Sequence, residues 1–316
     1  MEKRKLGQSG IEVLPLTFGG NIFGWTVNEN ESFKLLDAIV ESGLNFIDTA
    51  DVYSKWVPGN KGGESEAILG KWMKARKLRE RVVIATKVGM EMGPDRKGLK
   101  KAYILKSVED SLKRLQCEYI DLYQSHADDP ETPLEETLEA YAQLIKAGKV
   151  RAIGASNFTA ARLKQALDLS VKKNLPRYET LQPHYNLYDR KDFETDLEAL
   201  CLEQGVSVIN YFSLASGFLS GKYRSEEDMK KSARGGGIAK YLNPRGYRIL
   251  AALDEVSKEQ RSTPASVALA WLIARPSITA PIVSATSIEQ IHALLEGTRL
   301  DLSRAQMDLL TRASMA

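Results

Sequence analysis

The chain predicts a single (β/α)8 barrel, the TIM-barrel form of the α/β class, on three observations. Eight short β-branched runs alternate with amphipathic stretches in one steady rhythm. The runs are apolar throughout, as parallel strands covered on both faces are. No linker-like stretch divides the sequence. At 316 residues the chain has room for two average domains, but a barrel of about 250 residues with insertions fits equally well. Residues 1–316 are therefore read as one domain.

The elements follow in order. Residues 1–13 place the turn-like GQSG between KRKL and IEVL, which predicts a small β-hairpin lying across one barrel end. The strand candidates are LTFGG (16–20), NFIDTA (45–50), VVIATKV (82–88), YIDLYQSH (119–126), VRAIGAS (150–156), ETLQPHY (179–185), VSVINYF (206–212) and ITAPIVS (278–284). Helix candidates with apolar residues at i, i+3, i+4 and i+7 span 32–43, 64–75, 102–116, 134–149, 159–173 and 196–205. Gly43, Gly148 and Gly205 stand just past helical runs, as C′ glycines do. The long stretch 216–245 after the seventh strand is rich in Gly, Ser, Lys and Arg and reads as a lid or binding segment. Within it, the glycine triplet 235–237 reads as a flexible loop, and a final helix is expected at 303–313. The alternative, a doubly wound open sheet, calls for a GxGxxG turn after the first strand, which LTFGGNIFG does not supply.

Composition narrows the function classes. A hydrophobic fraction of 43% beside 27% charged residues is that of an ordinary globular protein. The net charge is only +3 and the basic residues are spread over helical segments, so neither nucleic acid nor a membrane surface is an expected partner. Cys117 and Cys201 have no CxxC or Cys/His companions, so no disulfide framework and no metal site is expected. The opening MEKRKLGQSG lacks an apolar secretory core and no run is long enough to span a bilayer, which makes the cytoplasm the expected compartment.

In a parallel barrel the loops after the strands form the active face. Asp48, Lys87 and His126 each close a predicted strand, and Tyr53 lies in the loop after NFID. Taken singly, the aspartate reads as a turn cap, the tyrosine as an amphipathic surface residue and the histidine as a hydrogen-bonded core residue. Together they form a proton-donating set. A lysine ammonium beside an aspartate stays charged and lowers the pKa of a nearby phenol toward a useful range.

The segments NFIDTADVYS, IATKVG, YIDLYQSH, GASNF, LQPHYN and LASGFLSGKY, in this order over nearly the whole chain, resemble the aldo-keto reductase superfamily. LSGKY and SIEQI are similar to the branch holding bacterial reductases and the potassium-channel β subunits. The resemblance implies reduction of aldehydes or ketones with NADPH by a tetrad matching Asp48, Tyr53, Lys87 and His126, with Tyr53 as proton donor. It implies that Ser156, Asn157 and Gln182 hold the nicotinamide carboxamide and that Tyr211 stacks on the nicotinamide. Leu214, Ser216 and Lys222 match a loop around the pyrophosphate, Arg234 an arginine near the 2′-phosphate, and Ser284, Thr286 and Gln290 the adenosine end. Local alternatives are an N-cap at Ser156 or Asn157 and a core-edge role for Tyr211.

Ala293 and Leu294 stand where that branch carries Glu and Asn, so selection for NADP(H) falls on Lys222 and Arg234, with NADH as the alternative cofactor. Trp25, Trp56, Phe23 and Tyr185 are candidates for an apolar wall facing a small carbonyl substrate. The expected assembly is a monomer or homo-oligomer. Two other classes stand beside the reductase. One is a cofactor-sensing binding subunit with little turnover, against which the short segment before the barrel argues. The other is a lyase with Lys87 as Schiff-base nucleophile, against which the neighbouring Asp48 argues by favouring the charged amine.

Overall fold

The structure, a computed structural model, describes residues 2–232 and 235–315. The hairpin strands β1 (Arg4–Lys5) and β2 (Glu12–Val13) pair antiparallel. Then come β3 (Thr17–Gly19), β4 (Phe46–Asp48), β5 (Val83–Val88), β6 (Ile120–Ser125), β7 (Val150–Ser156), β8 (Tyr178–Gln182), β9 (Ser207–Val208) and β10 (Ile282–Val283). These eight are parallel, in the spatial order β10-β3-β4-β5-β6-β7-β8-β9. The two ends of the sheet meet: Val208 bridges to Ile278, and the amides of Thr279 and Ile282 donate to Val208 O (2.8 Å) and Asn210 O (2.9 Å). The sheet therefore closes into the predicted barrel, and the doubly wound alternative falls.

Several strands are shorter than their sequence signal, and proline explains two of them. Pro183 and Pro281 carry no backbone N–H. β8 accordingly stops at Gln182, and the last strand is split into the Ile278 bridge and the two-residue β10.

The predicted helices correspond to α1 (Glu29–Glu41), α2 (Glu64–Arg76), α3 (Lys101–Leu115), α4 (Leu134–Lys146), α5 (Ala160–Lys173) and, after the short α6 (Lys191–Glu194), α7 (Leu197–Gln204). Gly43, Gly148 and Gly205 take φ of 91°, 72° and 62°, the left-handed values expected of helix-ending glycines. Beyond the prediction lie α8 (Pro244–Glu259), α9 (Pro264–Ile273) and α10 (Ile288–Gly297), ahead of the expected α11 (Arg304–Ala313). α9 left no amphipathic stripe to read, because every residue from 266 to 272 is buried. The segment after β9 is built of short 3-10 turns, one of them Gly235–Gly237. The glycine triplet forms such a turn, with Gly235 packed where a β-carbon would collide with Met229 O at 1.7 Å and Gly236 and Gly237 exposed.

Side-chain alternation layers the barrel interior. Phe46, Val83, Ala85, Leu122, Ala152, Ile209 and Ala280 form an apolar layer, joined by Leu6, Ile11 and Val13 from the hairpin. The hairpin is therefore a plug for the amino-terminal end. One alternation further along the same strands stand Asp48, Lys87 and Gln124, so the interior turns polar toward the strand carboxyl ends. Among the described residues, no helix is long and apolar enough to cross a membrane.

Leu6 is fully buried in this plug. Leu6→Ala is expected to lower unfolding stability by about 2–5 kcal/mol, measured by urea denaturation. A loss below about 1 kcal/mol would show that the hairpin is not part of the barrel core.

Candidate active site

The inward positions at the carboxyl ends of β4, β5, β6 and β8 converge on one carboxylate. Lys87 is 0% exposed and Asp48 1%. Lys87 Nζ donates to Asp48 Oδ2 at 2.6 Å, to Thr49 O at 2.7 Å and to Tyr53 Oη at 2.8 Å. The other Asp48 oxygen, Oδ1, accepts from Gln182 Nε2 at 3.0 Å and Gln124 Nε2 at 3.2 Å. Both oxygens of the buried carboxylate are thus satisfied, which is the condition for keeping such a pair out of water. Space for Gln124 comes from Gly154 on β7, where a β-carbon would lie 2.2 Å from Thr180 Oγ1 and 3.0 Å from Gln124 Cγ.

Tyr53 sits over this pair. Its hydroxyl also lies 3.3 Å from Asp48 Oδ2, and Lys87 Nζ stands 4.6 Å from the ring centroid. The His126 ring meets it edge-on, with centroids 6.0 Å apart. Burial, reinforced by the Lys87 ammonium, pushes the His126 pKa well below its ordinary value, so the imidazole is neutral at pH 7. Burial also lowers the Lys87 pKa, opposed first by Asp48 and then by Asp51 and Glu66. All four predicted residues are therefore brought together.

A second group adjoins them. Ser156 Oγ donates to Gln182 O at 2.9 Å. Asn157, with a left-handed φ of 56°, donates to His126 O at 2.9 Å and accepts from Tyr211 Oη at 2.8 Å. The cap of α5 is Thr159, whose side chain accepts from Arg162 N, so neither Ser156 nor Asn157 serves as the N-cap. Gln182 is turned inward to Asp48, joining the two groups.

The other expected cofactor residues are more dispersed. Leu214 precedes a run of positive φ at Ala215 (48°), Ser216 (57°) and Gly217 (96°). Lys222 reaches back over it, its Nζ 3.3 Å from the point a β-carbon on Gly217 would occupy. Ser284 Oγ lies 2.8 Å from both Gly19 O and Asn21 Oδ1, on the closure seam. Thr286 N donates to Gln290 Oε1 at 2.8 Å at the start of α10, so these two residues engage each other. Arg234 lies outside the described residues. Of the proposed aromatic wall, Trp56 is half exposed and meets Trp25 (5.5 Å) and Tyr53 (6.1 Å) edge-on. Phe23 and Tyr185 are instead fully buried core residues, packed on Phe18 and on Phe193 and Trp271.

Gln124 was missed in the sequence, although its place two residues beyond inward-facing Leu122 marks it as facing the barrel axis. Among the described residues, no His, Cys, Asp or Glu group is arranged to hold a metal.

Behind Lys87 lies a second buried carboxyl, Asp51, 2% exposed, whose Oδ1 takes no hydrogen bond among the described residues. Burial and then the adjacent Glu66 raise its pKa to about 8, against Arg114, the Val52 amide and Lys87. In an unfolded chain it ionises near 4. A carboxyl raised in this way contributes stability that is complete below the unfolded value and is lost as pH climbs toward 8. Asp51→Asn is therefore expected to gain on the wild type by up to about 1.4 kcal/mol per pH unit between about 4 and 8 in urea unfolding. A pH-independent difference would contradict a neutral Asp51.

The aldo/keto reductase family model matches residues 15–314. The uncharacterized oxidoreductase YrpG of Bacillus subtilis (strain 168) is 34% identical over 318 residues, covering 98% of this chain and 95% of that protein. The aldo-keto reductase YhdN of the same organism is 31% identical, covering 98% and 93%. A putative voltage-gated potassium channel subunit beta of Schizosaccharomyces pombe (strain 972 / ATCC 24843) is 34% identical, covering 91% and 85%. With its closed barrel and a family match across nearly its whole length, the chain belongs to the aldo/keto reductase family.

Proposed function

We propose that the protein is an oxidoreductase that reduces small aldehydes or ketones to alcohols with NADPH, with Tyr53 as the proton donor. The reading rests on one arrangement: the Tyr53 hydroxyl lies 2.8 Å from a fully buried ammonium that is itself 2.6 Å from a buried carboxylate. A phenol so placed hands its proton to a carbonyl oxygen, and Lys87, anchored by Asp48, favours the phenolate left behind. Neutral His126 offers a ring N–H to the same oxygen, so the charge developing there meets donors already in position.

The residues fit a nicotinamide cofactor, which when bound supplies the hydride. Ser156, Asn157 and Gln182 are the amide and hydroxyl groups for its carboxamide, and Tyr211 is the ring for its face. The turn at 215–217 with Lys222 suits the phosphates, with Ser284, Thr286 and Gln290 toward the adenosine. The half-exposed Trp56 beside Tyr53 favours a flat or apolar substrate. The proposed setting is the cytoplasm, with neither nucleic acid nor membrane as partner.

Tyr53→Phe is expected to lower kcat/KM for aldehyde reduction about 10²–10⁴-fold while cofactor binding persists. Retention of full activity would remove Tyr53 as the proton donor. A carbonyl panel run with NADPH and NADH in parallel reads the cofactor choice, and 2′,5′-ADP should compete better than 5′-AMP. Tight cofactor binding without turnover across the panel would instead favour a cofactor-sensing subunit, the reading raised by the channel-subunit relative.

A further inference from the structure

His184 is a conspicuous group that the proposed reaction leaves unused. It pairs with Tyr211 through an isolated parallel bridge just beyond β8, which stacks the two rings with centroids 5.4 Å apart and planes within 17°. Phe212 tilts against the same imidazole at 5.2 Å. Phe212 is itself held at φ 57°, a backbone conformation that bulky residues rarely adopt without a structural demand.

The imidazole is anchored as well as stacked. His184 Nε2 lies 3.1 Å from Asp189 Oδ2. Asp189 is fixed in turn, since its Oδ2 accepts from Tyr241 Oη at 2.7 Å and from Asn186 Nδ2 at 3.1 Å. Lys240 Nζ approaches Oδ1 to 3.6 Å. Burial pushes the Asp189 carboxyl up, but the contacts with His184, Tyr241 and Asn186 outweigh it and keep the group ionised. Tyr241 belongs to the long segment after β9 and stacks on Phe218 of that segment, with centroids 5.2 Å apart. On the other side of the chain of contacts, the Tyr211 hydroxyl is held by Asn157.

We infer that His184, anchored by Asp189, is a positioning residue for the cofactor: it buttresses the Tyr211 ring and ties it, through Asp189 and Tyr241, to the segment that follows β9. The inference rests on the cofactor reading above, in which Tyr211 meets the nicotinamide. Tyr211 has one hydrogen bond at its tip, and of the two rings packed on it Phe212 is tilted at 5.3 Å while His184 lies parallel and so holds its plane. An aromatic pair contributes about 0.5–1.5 kcal/mol beyond its buried area. Loss of the imidazole therefore falls on cofactor affinity, while the tetrad, which His184 does not touch, keeps its geometry.

The test is NADPH binding by fluorescence titration, with steady-state kinetics, on the full chain and on three variants. His184→Ala removes the ring, His184→Asn keeps a polar contact for Asp189 without a ring, and His184→Phe keeps the ring. The Ala and Asn variants are expected to raise Kd and KM for NADPH about tenfold, with the change in KM and not in kcat. The Phe variant should recover binding to within about threefold of wild type. Unchanged affinity in the Ala and Asn variants, or equal weakening in all three, overturns the inference and leaves the reductase reading intact. Failure of the wild-type chain to bind either NADPH or NADH overturns both.

Discussion

The buried pair of Lys87 and Asp48 is the constraint around which this barrel is organised. An ammonium and a carboxylate removed from water are stable only when every remaining donor and acceptor is met. Here the neighbours supply what is required: Thr49 O for the lysine, and the amides of Gln124 and Gln182 for the second carboxylate oxygen. A glycine on β7 leaves room for the Gln124 side chain. The chemistry proposed for Tyr53 follows from the same constraint, because a charge locked in place inside a barrel cannot relax away from the phenol that it faces.

The rest of the fold makes that arrangement affordable. Below the polar layer, the barrel is filled by small and branched apolar side chains and sealed by Leu6, Ile11 and Val13 of the hairpin. On the opposite side of the pair stand Tyr53 and the half-exposed Trp56. A second carboxyl, Asp51, is kept close by in its neutral form, consistent with Asp48 and Glu66 already taking the available cations, Lys87 and Arg114. The site is thus an acid held over a fixed charge, backed by apolar packing and open on one side.

Much of this was legible in the sequence, for physical reasons. In a parallel barrel the active face is built at the carboxyl ends of the strands, so Asp48, Lys87 and His126 stood out where apolar runs end, and Tyr53 lay in the loop after the first of them. Other features left no such mark. α9 is apolar on all sides and shows no period. Gln124 looks like any amide in a strand until the register places it opposite Lys87. Phe23 and Tyr185 have the composition of a pocket wall, yet the chain turns them into the core. Thr286 and Gln290 match a cofactor motif, but Gln290 Oε1 also accepts from Thr286 N just ahead of the Ser287 cap of α10. Sequence spacing cannot separate the two uses.

The central claim is that Lys87 and Asp48 are energetically one unit. A double-mutant cycle in urea unfolding, with Lys87→Met, Asp48→Asn and the pair combined, measures it directly. Each single change leaves a buried polar partner uncompensated and is expected to cost about 3–5 kcal/mol. The double variant should cost less than the sum of the two by at least about 2 kcal/mol. Additive losses would mean that the two groups do not depend on each other, and the ion pair would lose its place as the foundation of the site.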